Sequence, residues 1–137
     1  MGSPTHLTHI AAPAGVAPPP AGGYSHVVSG SGRVVMIAGQ VAVDERGDLV
    51  GEGDAAGQAR QVFENLRRCL AAVGGSFDDV VRLNYYLTDV RDLPAVRVIR
   101  DEFISADHPP ASTAVQVVAL ALPGLLIEID ATALIAD

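Results

Sequence analysis

Glu128 stands between two isoleucines in the most apolar stretch of the chain. A carboxylate among aliphatic side chains must find hydrogen-bond donors or hold its proton more tightly, and a proton held near neutrality is what acid–base chemistry uses. The same pattern fits a hydrogen-bonded strand residue on a solvated or interfacial face. Ser112 follows Pro110-Ala111 at the start of a β-rich run. No His or Asp lies beside it, and no Gly-x-Ser-x-Gly turn occurs anywhere, so it does not read as a hydrolase nucleophile. His6, His9, His26 and His108 lie in the N-terminal segment, at a strand start and before two prolines. None has a third ligand nearby, and no metal site is expected. Cys69 falls on the apolar stripe of a helical pattern, where a small buried hydrophobe is the simpler reading. Tyr24, Tyr85 and Tyr86 read as packing residues.

The elements that would position these residues come from a chain of 137 residues, 49% apolar and 18% charged. That composition excludes disorder and suits one domain. Net charge is −7, from nine Arg, no Lys and sixteen acidic residues. Such a chain repels phosphate backbones, so no nucleic-acid partner is expected, and without lysine it has neither a Schiff-base residue nor a Walker-type phosphate loop. One cysteine excludes internal disulfides and multi-cysteine metal sites. No run of apolar residues is long enough to span a membrane.

Residues 1–23 form a Pro/Ala/Gly-rich segment without the basic head of a signal peptide, read as an extended arm with little structure of its own; a cytoplasmic location is the default. Residues 24–137 are read as a single domain. Two β runs, His26 to Ser29 and Arg33 to Ala38, flank Gly30-Ser31-Gly32 at hairpin spacing. Asp54 caps a helix whose apolar stripe is Ala55, Ala59, Val62, Leu66, Cys69, Leu70 and Val73. Its opposite face carries Gln58, Arg60, Gln61, Glu64, Arg67 and Arg68, and Gly74-Gly75 ends it. Val80 to Thr88 is a strand. Asp92 is placed as the cap of a second helix with Val96, Ile99 and Phe103 inward, and Thr113 to Leu120 and Leu125 to Ile135 are closing strands. The order ββαβαββ gives an α+β domain with two helices over one face of a sheet. The other face is left uncovered, and with the apolar excess this points to packing between subunits.

Gly39-Gln40 after a β run, Gln58 to Asn65, Pro110 to Val117 and Leu126 to Asp130, in this order and spacing, resemble the Rid (reactive intermediate deaminase, YjgF-like) family. The resemblance runs from about Ala21 to Ala136. It implies a chorismate-mutase-like fold and a homotrimer with three small-molecule clefts between subunits. It implies no cofactor, and hydrolysis of 2-imino and enamine acids to 2-oxo acids and ammonia. Glu128 matches a glutamate that positions or activates the attacking water, Tyr24 also matches, and the Gly39 backbone lines the cleft. The family's carboxylate-clamping arginine is replaced by Ser112, a cysteine by Ala114, a serine by Ala38 and an asparagine by Arg97.

Exchanging a bidentate guanidinium for one hydroxyl forfeits ~1–3 kcal/mol of carboxylate binding. Standard 2-imino acid deamination is therefore not expected of this chain. Either Arg97 restores the charge from the second helix, or the substrate is a neutral imine, enamine or activated carbonyl compound. The small Ala38, Ala114 and Ser112 favour the neutral substrate. Two functions stay open: an enzyme of this type using Glu128, and a non-catalytic trimeric binding module.

Overall fold

Strict alternation along the last strand sets the plan of the sheet. In a computed structural model of the chain, which describes residues 5–20 and 23–137, Ile127, Ile129, Ala131, Ala133 and Ile135 are buried and the residues between them half-exposed. This strand, β6 (Ile127–Ile135), lies inside a four-stranded sheet with β3 (Arg33–Val41), β4 (Val80–Leu87) and β5 (Ala111–Gln116), in the order β3-β6-β4-β5. β6 runs antiparallel to both neighbours, and β4 runs parallel to the edge strand β5. The order of elements is that of an α+β fold, as expected.

Both helices cover the face to which the β6 isoleucines point. In α1 (Ala55–Ala72) the Asp54 carboxylate accepts from Gly57 N at 3.1 Å, and Val73 and Gly74 end the helix with φ +79° at Gly74. Ala59, Val62, Phe63, Leu66 and Leu70 are buried against Leu83, Leu87, Ile127 and Ile129. Two positions of the expected helical pattern depart from it. Val73 is 37% exposed, and Gln58, assigned to the polar face, is fully buried. Its amide nitrogen donates to Gly51 O (3.1 Å) and Gly124 O (2.9 Å), and its oxygen accepts from Leu126 N (2.8 Å). All its polar atoms are partnered, so its burial is tolerated and ties α1 to the turn that enters β6.

The second helix, α2 (Leu93–Arg100), buries Val96 and Ile99. Asp92 does not cap it; Asp89 does the comparable work one turn earlier, accepting from Arg91 N at 2.9 Å where the preceding 3-10 turn begins. The strand expected through Leu120 ends at Gln116.

The expected hairpin is absent. β2 (Val27–Gly30) pairs antiparallel with β1 (Leu7–Ile10), a strand supplied by the arm that was expected to carry little structure, while β3 pairs with β6. The two glycines serve close approaches rather than a hairpin turn. A Cβ on Gly30 would strike His6 O, and one on Gly32, at φ +133°, would strike Ile135 O. Leu7 is buried, and His6 Nε2 lies 2.7 Å from Leu134 O and 3.3 Å from the Asp79 carboxylate. The arm is thereby fastened to the far end of β6.

Candidate active site

Register decides where Glu128 sits. β3 carries a bulge between Ile37 and Gln40: Ile37 pairs with Ala131 and Gln40 with Ile129, so Ala38 and Gly39 together oppose Asp130. A Cβ on Gly39 would collide with the Glu128 carboxylate and come within 2.7 Å of its Cδ. Glycine at 39 therefore leaves the room in which that carboxylate lies against the backbone. Glu128 is half-exposed, on the sheet face that the helices leave open.

Its neighbours form a network that reading the sequence missed. Asp130 accepts from Asn84 Nδ2 at 2.8 Å and from the Tyr86 hydroxyl at 3.0 Å. The hydrogen bond to Asp130 pushes the Tyr86 phenol above its ordinary pKa, with smaller contributions from partial burial and the charges of Asp130 and Glu128. Tyr86 pairs with Glu128 across the ladder and Asn84 with Asp130. Every second residue of β4 and β6 being polar was the available signal. Asp130 is thus fully engaged, whereas the Glu128 carboxylate has no hydrogen bond or ion pair among the described residues.

Ser112 and Ala114 lie on the opposite, helix-covered face, because they pair in parallel with Leu83 and Tyr85. As part of the edge strand they escape the helices and keep partial or full exposure. Tyr85 is buried; burial pushes its phenol up, and the Arg100 and Arg97 guanidinia oppose that shift. Arg97 is half-buried on α2, so this arginine belongs to the Ser112 side of the sheet.

Tyr24 reaches the same region through its neighbours. Gly23 O accepts from Arg100 Nη1 at 3.1 Å, Ser25 Oγ donates to Pro109 O at 2.7 Å, and Ser25 N donates to Pro110 O at 3.1 Å. The Tyr24 ring stands edge-on to His26, centroids 5.4 Å apart. It borders an open groove of about 420 Å³ that the arm forms with His9, His108 and Pro109. Burial, and secondarily His108, lower the His9 pKa. Among the described residues no group of three or more His, Cys, Asp or Glu is arranged to hold a metal ion.

The expected site residues therefore fall into two sets within one protomer. Glu128 and Gly39 occupy the open face; Ser112, Ala114, Arg97 and the Tyr24 segment gather at the β5 edge on the other. β4 lies between β6 and β5, so the two strands are roughly 10 Å apart even before the opposite orientation of their side chains is counted.

The family profile described as Endoribonuclease L-PSP matches residues 14–135. The chain belongs to the Rid (YjgF) family. The Rid family protein YyfB from Yersinia pestis, whose function is described as unknown, superposes with a TM-score of 0.87 at 39% identity, covering 96% of this chain and 100% of its own. RidA from Psychrobacter sp. PAMC 21119 superposes at 0.70 with 34% identity, over 96% and 100% of the two chains. The 3-aminoacrylate deaminase RutC of Acinetobacter baylyi is 36% identical over 116 residues, 85% of this chain and 90% of the relative. The 2-iminobutanoate/2-iminopropanoate deaminase of Dermatophagoides farinae is 32% identical over 98 residues, 72% and 76% of the two. Imine-deaminase-like activity is thus represented among the relatives. No helix among the described residues is long and apolar enough to cross a membrane.

Proposed function

We propose that this chain is a hydrolase of reactive imines, enamines or related activated carbonyl compounds, with Glu128 as its acid–base residue and Gly39, Tyr24, Ser112, Ala114 and Arg97 lining the cleft. The observation that carries the reading is the contrast between two carboxylates on one strand face: Asp130 is held by two donors, while Glu128 lies over Gly39 with its acceptor oxygens unengaged. An unengaged carboxylate beside bare backbone can take a proton from water as its oxygen adds to the imine carbon. It can then return that proton to the nitrogen to give a carbinolamine, and relay the carbinolamine's hydroxyl proton to the same nitrogen as the C–N bond breaks, leaving a carbonyl compound and ammonia. An enamine enters the same sequence after a proton moves to its carbon.

The cleft is complete only when a second copy brings its own Ser112 edge to the open face of the first. Val34 and Met36, 62% and 74% exposed on that open face, support such a contact, and the family resemblance implies three copies. Ser112 offers a carboxylate one neutral donor, so the pose of a small 2-imino acid held by an arginine at this position is not available here. The net charge of −7 and the absence of lysine weigh against RNA as substrate.

The test follows decay of an uncharged imine, and beside it of 2-iminobutanoate generated with an amino-acid oxidase, with native protein and with Glu128→Gln. Acceleration by the native chain that falls about 10²- to 10⁴-fold in the variant, while product binding persists, is the expected result. Binding without any acceleration by the native chain would make the protein a trimeric binding module instead.

A further inference from the structure

The arm supplies part of the lining of the groove of about 420 Å³ beside Tyr24. Leu7 and His9 share one face of β1 by alternation, and both line it, together with His108, Pro109 and Tyr24. The His9 and His108 rings stand 5.6 Å apart between centroids and are inclined at 41°. Two imidazoles and a phenol thus line a space of ordinary small-ligand size. Burial, and secondarily His108, lower the His9 pKa, so this imidazole is uncharged at neutral pH. Asp107, which is exposed, is the one Asp, Glu, Lys or Arg among the described lining residues. The groove therefore offers rings and aliphatic walls, and no guanidinium or ammonium to hold an acid.

Backbone geometry fixes where this groove lies. Ser25 is buried, and it donates from Oγ to Pro109 O at 2.7 Å and from its backbone nitrogen to Pro110 O at 3.1 Å, which holds Tyr24 beside both prolines. Pro109 comes three residues before Ser112, so the two are separated by no more than about 11 Å of chain. The groove thus borders the start of β5, where Ser112 lies, and Tyr24 is common to the groove and to the proposed cleft. We propose that the groove holds a flat, uncharged ring borne by the substrate, so that the protein hydrolyses imines or enamines of aromatic and conjugated cyclic carbonyl compounds. The inference rests on the imine-hydrolase reading and supplies the substituent which that reading leaves open. A planar ring gains contact with the three rings of the lining as well as with Leu7, Pro19 and Pro109. A saturated ring of similar volume gains only the aliphatic contact.

The test measures binding rather than turnover, so it does not depend on catalysis. Acetophenone and cyclohexyl methyl ketone, the carbonyl products of a flat and a saturated imine, are titrated into the native protein, His9→Leu and His108→Leu. Proton resonances of the imidazoles report the contact, and thermal melts confirm that each variant is folded. Acetophenone is expected to shift the His9 and His108 signals while leaving that of His6, at the far end of β6, in place. The native protein should bind it about two- to tenfold more tightly than the saturated ketone, and each leucine variant should lose that preference. Equal affinity for the two ketones, no binding, shifts that spare His9 and His108, or variants with undiminished preference would each overturn the proposal. Ring binding that needs both histidines in a protein without imine hydrolysis would uphold the groove and sink the enzymatic reading alone. Hydrolysis of small imines without acetophenone binding would do the reverse.

Discussion

On β6, Ile127, Ile129, Ala131, Ala133 and Ile135 point at the helices and are almost dry, whereas Glu128, Asp130, Thr132 and Leu134 point away and stay half-exposed. The first set joins a core in which Phe63 stacks on Phe103 with centroids 5.3 Å apart. The second joins Tyr86, Asn84 and Arg82 in a polar surface, with uncovered Val34 and Met36 beside it. One face holds the protomer together. The other has polar groups already arranged and apolar groups still waiting for cover, which is the composition of a surface that works in contact with something else. The residues proposed for the cleft follow the same division, since Glu128 lies on the unfinished face and Arg97 on the helix that covers the finished one.

Substitutions can break each side of this division separately. Phe63→Ala attacks the finished face and should cost about 3–5 kcal/mol of folding stability, read from denaturant midpoints; a loss below about 1 kcal/mol would show that the helix-covered side is not the dominant core. Gly39→Ala attacks the open face. The added methyl meets the end of a flexible side chain rather than backbone, so stability should change by less than about 1 kcal/mol while the displaced Glu128 carboxylate lowers turnover about a hundredfold. Equal damage to both readouts would make Gly39 a folding residue only. Met36→Asp sharpens the comparison further, placing a charge where a copy should dock. Association measured by sedimentation should weaken at least about tenfold with the far-ultraviolet spectrum intact. Unchanged sedimentation would place the contact elsewhere.

Much of the finished face is legible in the sequence because helical and strand periodicity are local. Asp54, the 3.6-residue stripe to Leu70 and the β6 isoleucines could be read without knowing any partner. Glu128 stood out for the same reason, as one carboxylate in an aliphatic run. What escaped depends on contacts between distant residues. Nothing near Leu7 announces that it pairs with Gly30, and Gly30 and Gly32 mimic a hairpin signal while serving approaches to His6 and Ile135. Gln58 looked solvated because polarity suggests exposure; one partner seven residues back and two far along the chain permit the opposite. The Asn84–Asp130–Tyr86 network and the division of the site residues both require register, since alternation says which residues share a face but not which face meets the helices.

The opposed orientation of Glu128 and Ser112 has a genetic corollary. If each cleft draws its glutamate from one copy and its edge-strand residues from the next, two chains disabled in different halves can repair one another. Random co-assembly of a Glu128 variant with an Arg97 variant would then restore about a quarter of the clefts, although neither chain has a sound one alone. A single damaged allele, by the same reasoning, would also spoil clefts shared with an undamaged product.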